Sequence, residues 1–293
     1  MIYFLTILIF YGDCMQTTHE SHRDIKKNKL CPFKLLSVRK TGIGICNWHS
    51  NIEIIFVTAG EGTAQYGGET LKIKAGDTVV INSGALHCFF SDGAMDFTGI
   101  IIDDDFCKES GIVPELFDFN RIVRDNSVER LIRSASDIIQ SYQEKKEPIL
   151  AAKSRALILE LLVYLAEGYA KRAECKAEVK NQSEEYVKRV IGHLIDNYTD
   201  SVTLEGLAAL CGITKFHLAR VFKLYTRETI FTYLNALKCK NAQKCLEKGM
   251  SVTETATRCG FESVSYFSRT YKRVMGTPPR LEKGNTVGGK GEA

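Results

Sequence analysis

The sequence predicts a two-domain α+β chain, with a small β-barrel and two following helices in front of an all-α domain built from a doubled helix-turn-helix. Three observations predict it: short β-branched runs broken by glycine between Cys31 and Ile102, a change of apolar spacing at Asp125, and an internal repeat after Glu184. The apolar period there passes from two to about 3.6 residues, the mark of a switch from strand to helix. With 293 residues, 44% of them hydrophobic, the chain can fill two cores, at about 150 residues per domain. Global disorder, collagen and a polytopic membrane protein are excluded by that composition.

Residues 1–30 form an N-terminal extension. Its first eleven residues are apolar except for Thr6, short of the ~20 that span a membrane. The first basic residue is Arg23, so the cationic start of a secretory signal is missing. The expected start is Met15, with residues 1–14 an over-extended reading frame and no membrane partner. Residues 31–125 then read as the barrel. Strands are expected at Ile52–Val57, Thr70–Lys74, Asp77–Ile81 and Met95–Ile102, with turns at Gly60-Glu-Gly62, Gly67-Gly68, Ala75-Gly76-Asp77 and Asp92-Gly93. Closely spaced strands of this kind build small barrels and jelly rolls.

Two helices are expected over residues 126–171. One carries the stripe Val128, Leu131, Ile132, Ala135, Ile138 and Ile139; the second, after Pro148, carries Leu157, Leu161 and Leu165. They either pack on the barrel or form the contact of a homodimer. The polar stretch 172–183 reads as a linker. Residues 184–282 hold six helices, at about 184–198, 203–211, 214–225, 230–247, 252–259 and 263–274, and residues 283–293 a frayed tail. Thr214 and Ser263 stand at helix starts, and Ser251 with Glu254 matches a capping box.

Charge and cysteine bound the partners. Residues 1–182 carry a net charge of −2, and residues 183–293, with 17 basic against 11 acidic side chains, carry +6. A mildly acidic front and a basic back fit a small-molecule site joined to a nucleic-acid reader. The ten cysteines include no Cys-x-x-Cys pair, so zinc ribbons and thioredoxin-type pairs lack their spacing. They are expected to be reduced thiols, in a cytoplasmic protein.

The repeat carries the function. Leu207-Ala208, Gly212, Leu218, Arg220, Phe222 and Lys223 recur in the same order as Thr255-Ala256, Gly260, Phe267, Arg269, Tyr271 and Lys272. Each copy is a helix, a tight glycine turn and a second helix, with a small alanine where the helices cross. The joining helix, residues 230–247, spans ~27 Å at 1.5 Å per residue. That could set two reading helices in successive major grooves of double-stranded DNA, ~34 Å apart, so that one chain reads a bipartite operator. With Leu218, Val221 and Phe222 committed to the core, Lys215, Phe216, Ala219, Arg220 and Lys223 face outward. With Phe267, Thr270 and Tyr271 committed likewise, Val264, Ser265, Ser268, Arg269 and Lys272 do so. Arg220 and Arg269 suit bidentate contact with guanine or a clamp on phosphate, Lys223 and Lys272 suit phosphate, and Phe216 suits a thymine methyl group. The plain alternative is a solvated helix face, which the repeated register argues against.

These residues resemble the C-terminal DNA-binding domain of the AraC/XylS family of bacterial transcription regulators, over roughly 184–280. The most specific stretch runs from Gly260 through Lys272 to Gly276-Thr-Pro-Pro279. Two departures stand out: Arg227 occupies the position of Gly276, and Thr255 replaces an apolar residue before Ala256. The resemblance implies a transcription regulator, more commonly an activator that contacts RNA polymerase, with no catalytic role and no cofactor. It also implies an N-terminal cupin-type barrel that binds a small effector. The cupin-like stretch is His49 to Glu53, Gly60, and Gly76 to His87. Metal-binding cupins use His-x-His, a glutamate and a later histidine; here Asn47 replaces the first His, and Asn82 a usual proline. Asn47, His49 and Glu53 share parity, so an uninterrupted strand would put them on one face. Three readings stay open. His49, Glu53 and His87 hold a metal, making a metal sensor or metal-dependent enzyme. Alternatively they are polar handles for a sugar-like effector stacked on Trp48. In the third reading they are structural and the barrel serves only to dimerise.

Overall fold

The alternation in the front half closes into a sheet because both of its faces find a cover. The computed structural model describes residues 25, 28–42, 45–172 and 182–282. These fall into two compact units, one with every strand and the helices up to residue 169, the other beginning at Gln182. The extension to residue 24, the Met15 start, most of the linker and the tail lie outside the described residues.

The strands are β1 (Phe33–Gly42), β2 (Ile52–Ala59), β3 (Glu61–Tyr66), β4 (Glu69–Lys74), β5 (Thr78–Ile81) and β6 (His87–Ile102). After a short helix α1 (Asp104–Glu109) come β7 (Phe117–Phe119) and β8 (Ile122–Val123). The main sheet runs β4-β3-β6-β2-β5-β8, with β1 also paired to β6, and these pairings are antiparallel. Strand β6 is the spine: His87 to Phe90 pair with β3, whereas Met95 to Ile102 pair with β1. The expected turn at Asp92-Gly93 is therefore a place where one continuous strand changes partners, marked by a register shift between Lys40 and Gly42 of β1. Gly62 is likewise no turn residue. It lies inside β3, where a Cβ would come within 2.4 Å of the Phe90 carbonyl oxygen.

Strand β2 explains its own unbroken apolar run. Ile52, Ile54 and Phe56 join one core, and Ile55 and Val57 the other. The first core is closed by α2 (Asn126–Lys145) and α3 (Pro148–Tyr169), through Val128, Ile132, Ala135 and Ile139 and through Ile158, Leu161, Leu162 and Leu165. The two helices thus cover the barrel. Asp125 caps α2 by accepting from Ser127 N at 2.6 Å, and accepts the Tyr164 and Tyr169 hydroxyls as well. A short strand β9 (Ala170–Arg172) pairs with β7.

In the second unit the helices are α4 (Gln182–Asp196), α5 (Leu204–Cys211), α6 (Lys215–Thr226), α7 (Ile230–Glu247), α8 (Val252–Arg258), α9 (Val264–Met275) and α10 (Pro279–Glu282). Helix α4 starts two residues before the expected 184, inside what reads as linker. Thr203, Thr214, Thr229 and Ser263 each accept a backbone N–H at a helix start, and Ser251 with Glu254 completes a capping box. Each cap satisfies a donor the helix itself leaves open. Arg227 ends α6 at φ +60°, the left-handed conformation that Gly276 adopts at the end of α9. Thr255 is buried, and its hydroxyl has no hydrogen-bond partner among the described residues.

Candidate DNA-reading surface and barrel site

The two helix-turn-helix copies present their outer faces as the repeat requires. On α6, Leu218, Val221 and Phe222 are buried, while Phe216, Ala219, Arg220 and Lys223 are exposed; Phe216 stands 78% exposed. On α9, Phe267, Thr270 and Tyr271 are buried, Val264, Ser265, Arg269 and Lys272 are exposed, and Ser268 is half-buried. Lys215 is held closer to the protein. Its ammonium donates to Glu205 on α5 at 2.6 Å and lies over the Phe216 ring. That hydrogen bond keeps the Glu205 carboxyl below its ordinary range.

Two outward side chains beside the anchors are not among those the repeat singled out. His217 sits beside Arg220, with Nδ1 at 3.4 Å from a guanidinium nitrogen. Tyr266, at the matching position of the second copy, is 40% exposed and accepts a hydrogen bond from Asn235 of α7 at 3.0 Å. Their shared place, one residue before Leu218 and Phe267, is the signal that could have found them. Helix α7 also braces the second turn: the Lys238 ammonium donates to the Gly260 carbonyl at 2.6 Å, and burial pushes the Lys238 pKa down.

In the barrel, His49, Glu53 and His87 come together. Both Nε2 atoms face the same Glu53 carboxylate oxygen, His49 at 3.0 Å and His87 at 3.2 Å, and all three residues are buried. The route differs from the expected uninterrupted strand. Strand β2 begins only at Ile52, and Asn47 makes an isolated bridge to His87 while His49 lies in the segment between. Trp48 is half-buried in that segment. Asn82 takes the proline position and ties β5 to β7, donating to the Phe119 carbonyl and accepting from Phe119 N at 3.0 Å.

The ring orientations are set from behind. His49 Nδ1 contacts the Asn51 carbonyl at 3.0 Å and His87 Nδ1 the Ala85 carbonyl at 2.9 Å. A carbonyl can only accept, so each Nδ1 carries a proton, and each Nε2 is the atom offered to Glu53. Burial pushes the Glu53 carboxyl up, but the hydrogen bonds and charge of His49 and His87 outweigh it and hold the pKa well below the usual range. A carboxylate between two such imidazoles has a donor set suited to a divalent ion, with the outer nitrogens already oriented by carbonyls. The three ligating atoms lie within 4.8 Å of one another.

The cysteines of this region correct the expectation of reduced thiols throughout. Cys46 and Cys88 form a disulfide with Cα atoms 4.4 Å apart. The cause is the bridge: Asn47 and His87 exchange both backbone hydrogen bonds, so Cys46 and Cys88 become the next, non-hydrogen-bonded pair, where Cα atoms approach to about 4.5 Å.

Comparisons with known proteins divide the chain in the same way. A family model described as a cupin domain matches residues 36–102, and one described as a helix-turn-helix domain matches residues 207–281. The uncharacterized HTH-type transcriptional regulator YdeC of Bacillus subtilis (strain 168) is 21% identical over 88% of this chain and 92% of its own. The Msm operon regulatory protein of Streptococcus mutans is 23% identical over 78% of this chain and 82% of its own. The HTH-type transcriptional activator RhaS of Salmonella paratyphi B is 23% identical over 79% of this chain and 84% of its own. Among solved structures, ToxT from Vibrio cholerae O395 aligns over 87% of this chain and 99% of its own, at 14% identity and a TM-score of 0.46.

Proposed function

We propose, for a chain that belongs to the AraC/XylS family of DNA-binding transcription regulators, that the barrel is a sensor for a small effector. Its occupancy changes how α6 and α9 engage DNA. The observation that carries this reading is the ionised Glu53 held between two oriented imidazoles inside the barrel. A buried ionic cluster stabilises a fold no better than apolar side chains of similar volume. Its presence in a core otherwise rich in Ile, Val and Phe therefore favours a ligand over a purely structural barrel. The effector class proposed is small, polar and sugar-like, with Trp48 as a wall. Coupling to DNA requires that the effector favour one arrangement of the chain over another.

On the DNA side, Arg220 and Arg269 are proposed to read bases and Lys223 and Lys272 to hold phosphates, on a bipartite operator. Activation is the proposed sign, as in the relative named a transcriptional activator, and RNA polymerase is then a partner. A homodimer is proposed through the outer face of α3. An open groove of about 460 Å³ runs there past Leu159, Val163 and Tyr164, and Val163 and Tyr164 are exposed. No helix among the described residues is long and apolar enough to cross a membrane, and the proposed place of action is the cytoplasm, with no catalytic role.

A metal reading is favoured by the ring orientations. His49, Glu53 and His87 would hold a divalent ion, which would supply a fixed positive charge able to polarise a bound effector. A thermal-shift screen of the full chain against sugars, small acids and divalent metals tests both readings, with His87→Ala as the control. A ligand at about 100 times its Kd should add about 2.7 kcal/mol of stability. One class should shift the wild type and not the variant. A screen with no shift, or one that His87→Ala leaves intact, overturns the sensor reading.

A further inference from the structure

We propose that Cys46–Cys88 is a thiol–disulfide exchange site whose substrate is a reducing dithiol, and that its state governs whether His49 reaches Glu53. The proposal rests on the reading of the His49, Glu53 and His87 trio as a ligand site, and adds a control to it.

The three trio residues are anchored very unequally. Glu53 lies in the middle of the sheet, paired with Ile81 on one side and Ile101 on the other. His87 starts β6 and pairs with Tyr66 of β3. His49 belongs to no strand. Its segment pairs with β6 at the Asn47–His87 bridge, through two hydrogen bonds of 3.1 and 3.0 Å, and a further one runs from Gly84 N to the His49 carbonyl at 2.8 Å. The disulfide lies immediately beside that bridge and is the covalent closure of the same two segments, 42 residues apart in sequence. It stands one residue from His87 and three from His49.

Both sulfurs are buried, Cys46 at 1% and Cys88 at 3%, so exchange waits on opening of the segment 45–51 rather than on surface attack. Once it opens, a thiolate of the reductant attacks one sulfur, forming a mixed disulfide and expelling the other cysteine as a thiolate, which takes a proton. The reductant's second thiol then closes on the mixed disulfide. Two cysteine thiols and the oxidised, cyclised reductant remain, with two electrons and two protons transferred. The other buried thiols are poor competitors: burial pushes Cys107, Cys239 and Cys259 up to about 12. Without the covalent closure, His49 leaves Glu53 while His87, held by β3, stays.

The test uses the full chain in glutathione and dithiothreitol buffers of stepped potential. Free thiols are trapped by alkylation and mapped by peptide mass, and the imidazole nitrogen resonances of His49 and His87 are followed in parallel. Assignment comes from His49→Gln and His87→Gln. The cross-linked Cys46–Cys88 peptide and the carboxylate-paired His49 resonance should vanish at one common potential, with His87 little changed. Alkylation of both cysteines in folded, unreduced protein overturns the proposal. So does a His49 resonance that ignores reduction. The Cys46→Ser/Cys88→Ser variant should show the reduced spectrum at every potential; if it fails to fold, the wild-type titration still decides. A His49 resonance that follows the potential but ignores every added metal and sugar supports the exchange site and overturns the ligand reading beneath it.

Discussion

The two helix-turn-helix copies share a template and differ in where each departs from it. The first keeps an apolar Leu207 before its alanine, and its turn glycine, Gly212, faces open space. Its irregularity comes at the end of α6, where Arg227 adopts the left-handed conformation. The second copy ends on Gly276 and carries its irregularity inside, in the buried Thr255 hydroxyl. Its turn glycine is also enclosed: a Cβ on Gly260 would meet the Thr199 carbonyl oxygen at 2.5 Å, and Lys238 donates to the Gly260 carbonyl. A shared pattern in the sequence therefore covers unequal demands in space. The first turn needs glycine for its dihedral angle alone, the second for dihedral angle and room.

That contrast can be broken first at the glycines. Gly260→Ala should cost about 2–5 kcal/mol, combining left-handed strain with overpacking against backbone that cannot yield. Gly212→Ala should cost only about 1–2 kcal/mol, the strain alone. Denaturant unfolding of both variants measures the gap, and equal losses would remove the Thr199 contact from the account.

The reading faces come next. Arg220→Ala and Arg269→Ala should each weaken specific binding by about 1–3 kcal/mol and relax one base position, in different halves of the operator. Selection of binding sites from random DNA, with wild type and variants, checks this. Uniform weakening on all sequences would make both arginines phosphate clamps.

Two substitutions should then raise stability. Thr255→Val removes the buried hydroxyl without a partner and should gain about 1–2 kcal/mol, because the desolvation cost disappears with the group. A loss would mean that the hydroxyl is satisfied in solution. Arg227→Gly should gain less than about 1 kcal/mol, since relief of left-handed strain is offset by the greater freedom of glycine in the unfolded chain. The midpoint of thermal unfolding reads both.

The smallest effect expected is a pH dependence at Asp125. The Tyr169 hydroxyl, then Ser127 N and the Tyr164 hydroxyl, lower its pKa from 3.8 to about 2. A carboxyl depressed in the folded state stabilises above its unfolded value and loses that contribution as pH falls toward the folded one. Wild-type stability should therefore decline between about pH 4 and pH 2 more steeply than that of Asp125→Asn. Parallel profiles would show that the hydroxyl contacts do not persist in solution.

What was legible in the chain follows from range. The helices, their caps and the repeat depend on residues three or four apart, so Thr214, Ser251 and Ser263 announce helix starts with no knowledge of the rest. The outward faces of α6 and α9 follow from the same period once Leu218 and Phe267 are taken as anchors. Strand pairing has no such local record. Nothing in Asp92-Gly93 distinguishes a hairpin turn from the bend of a strand changing partners, and Gly62 earns its place only through Phe90 and Met95 in β6. An irregular segment rather than a strand delivers His49 to Glu53, so their shared parity along a strand does not account for the meeting.

The sequence alone determined the two-part organisation, the doubled reader and the residue types of the barrel site, because composition, period and capping act over short stretches of chain. Tertiary structure decided which cysteines meet, how two imidazoles turn toward one carboxylate, and why one turn glycine is walled in while its counterpart is not. Those outcomes depend on distances between residues tens of positions apart. They are set only when sheet register and helix packing bring backbone to backbone.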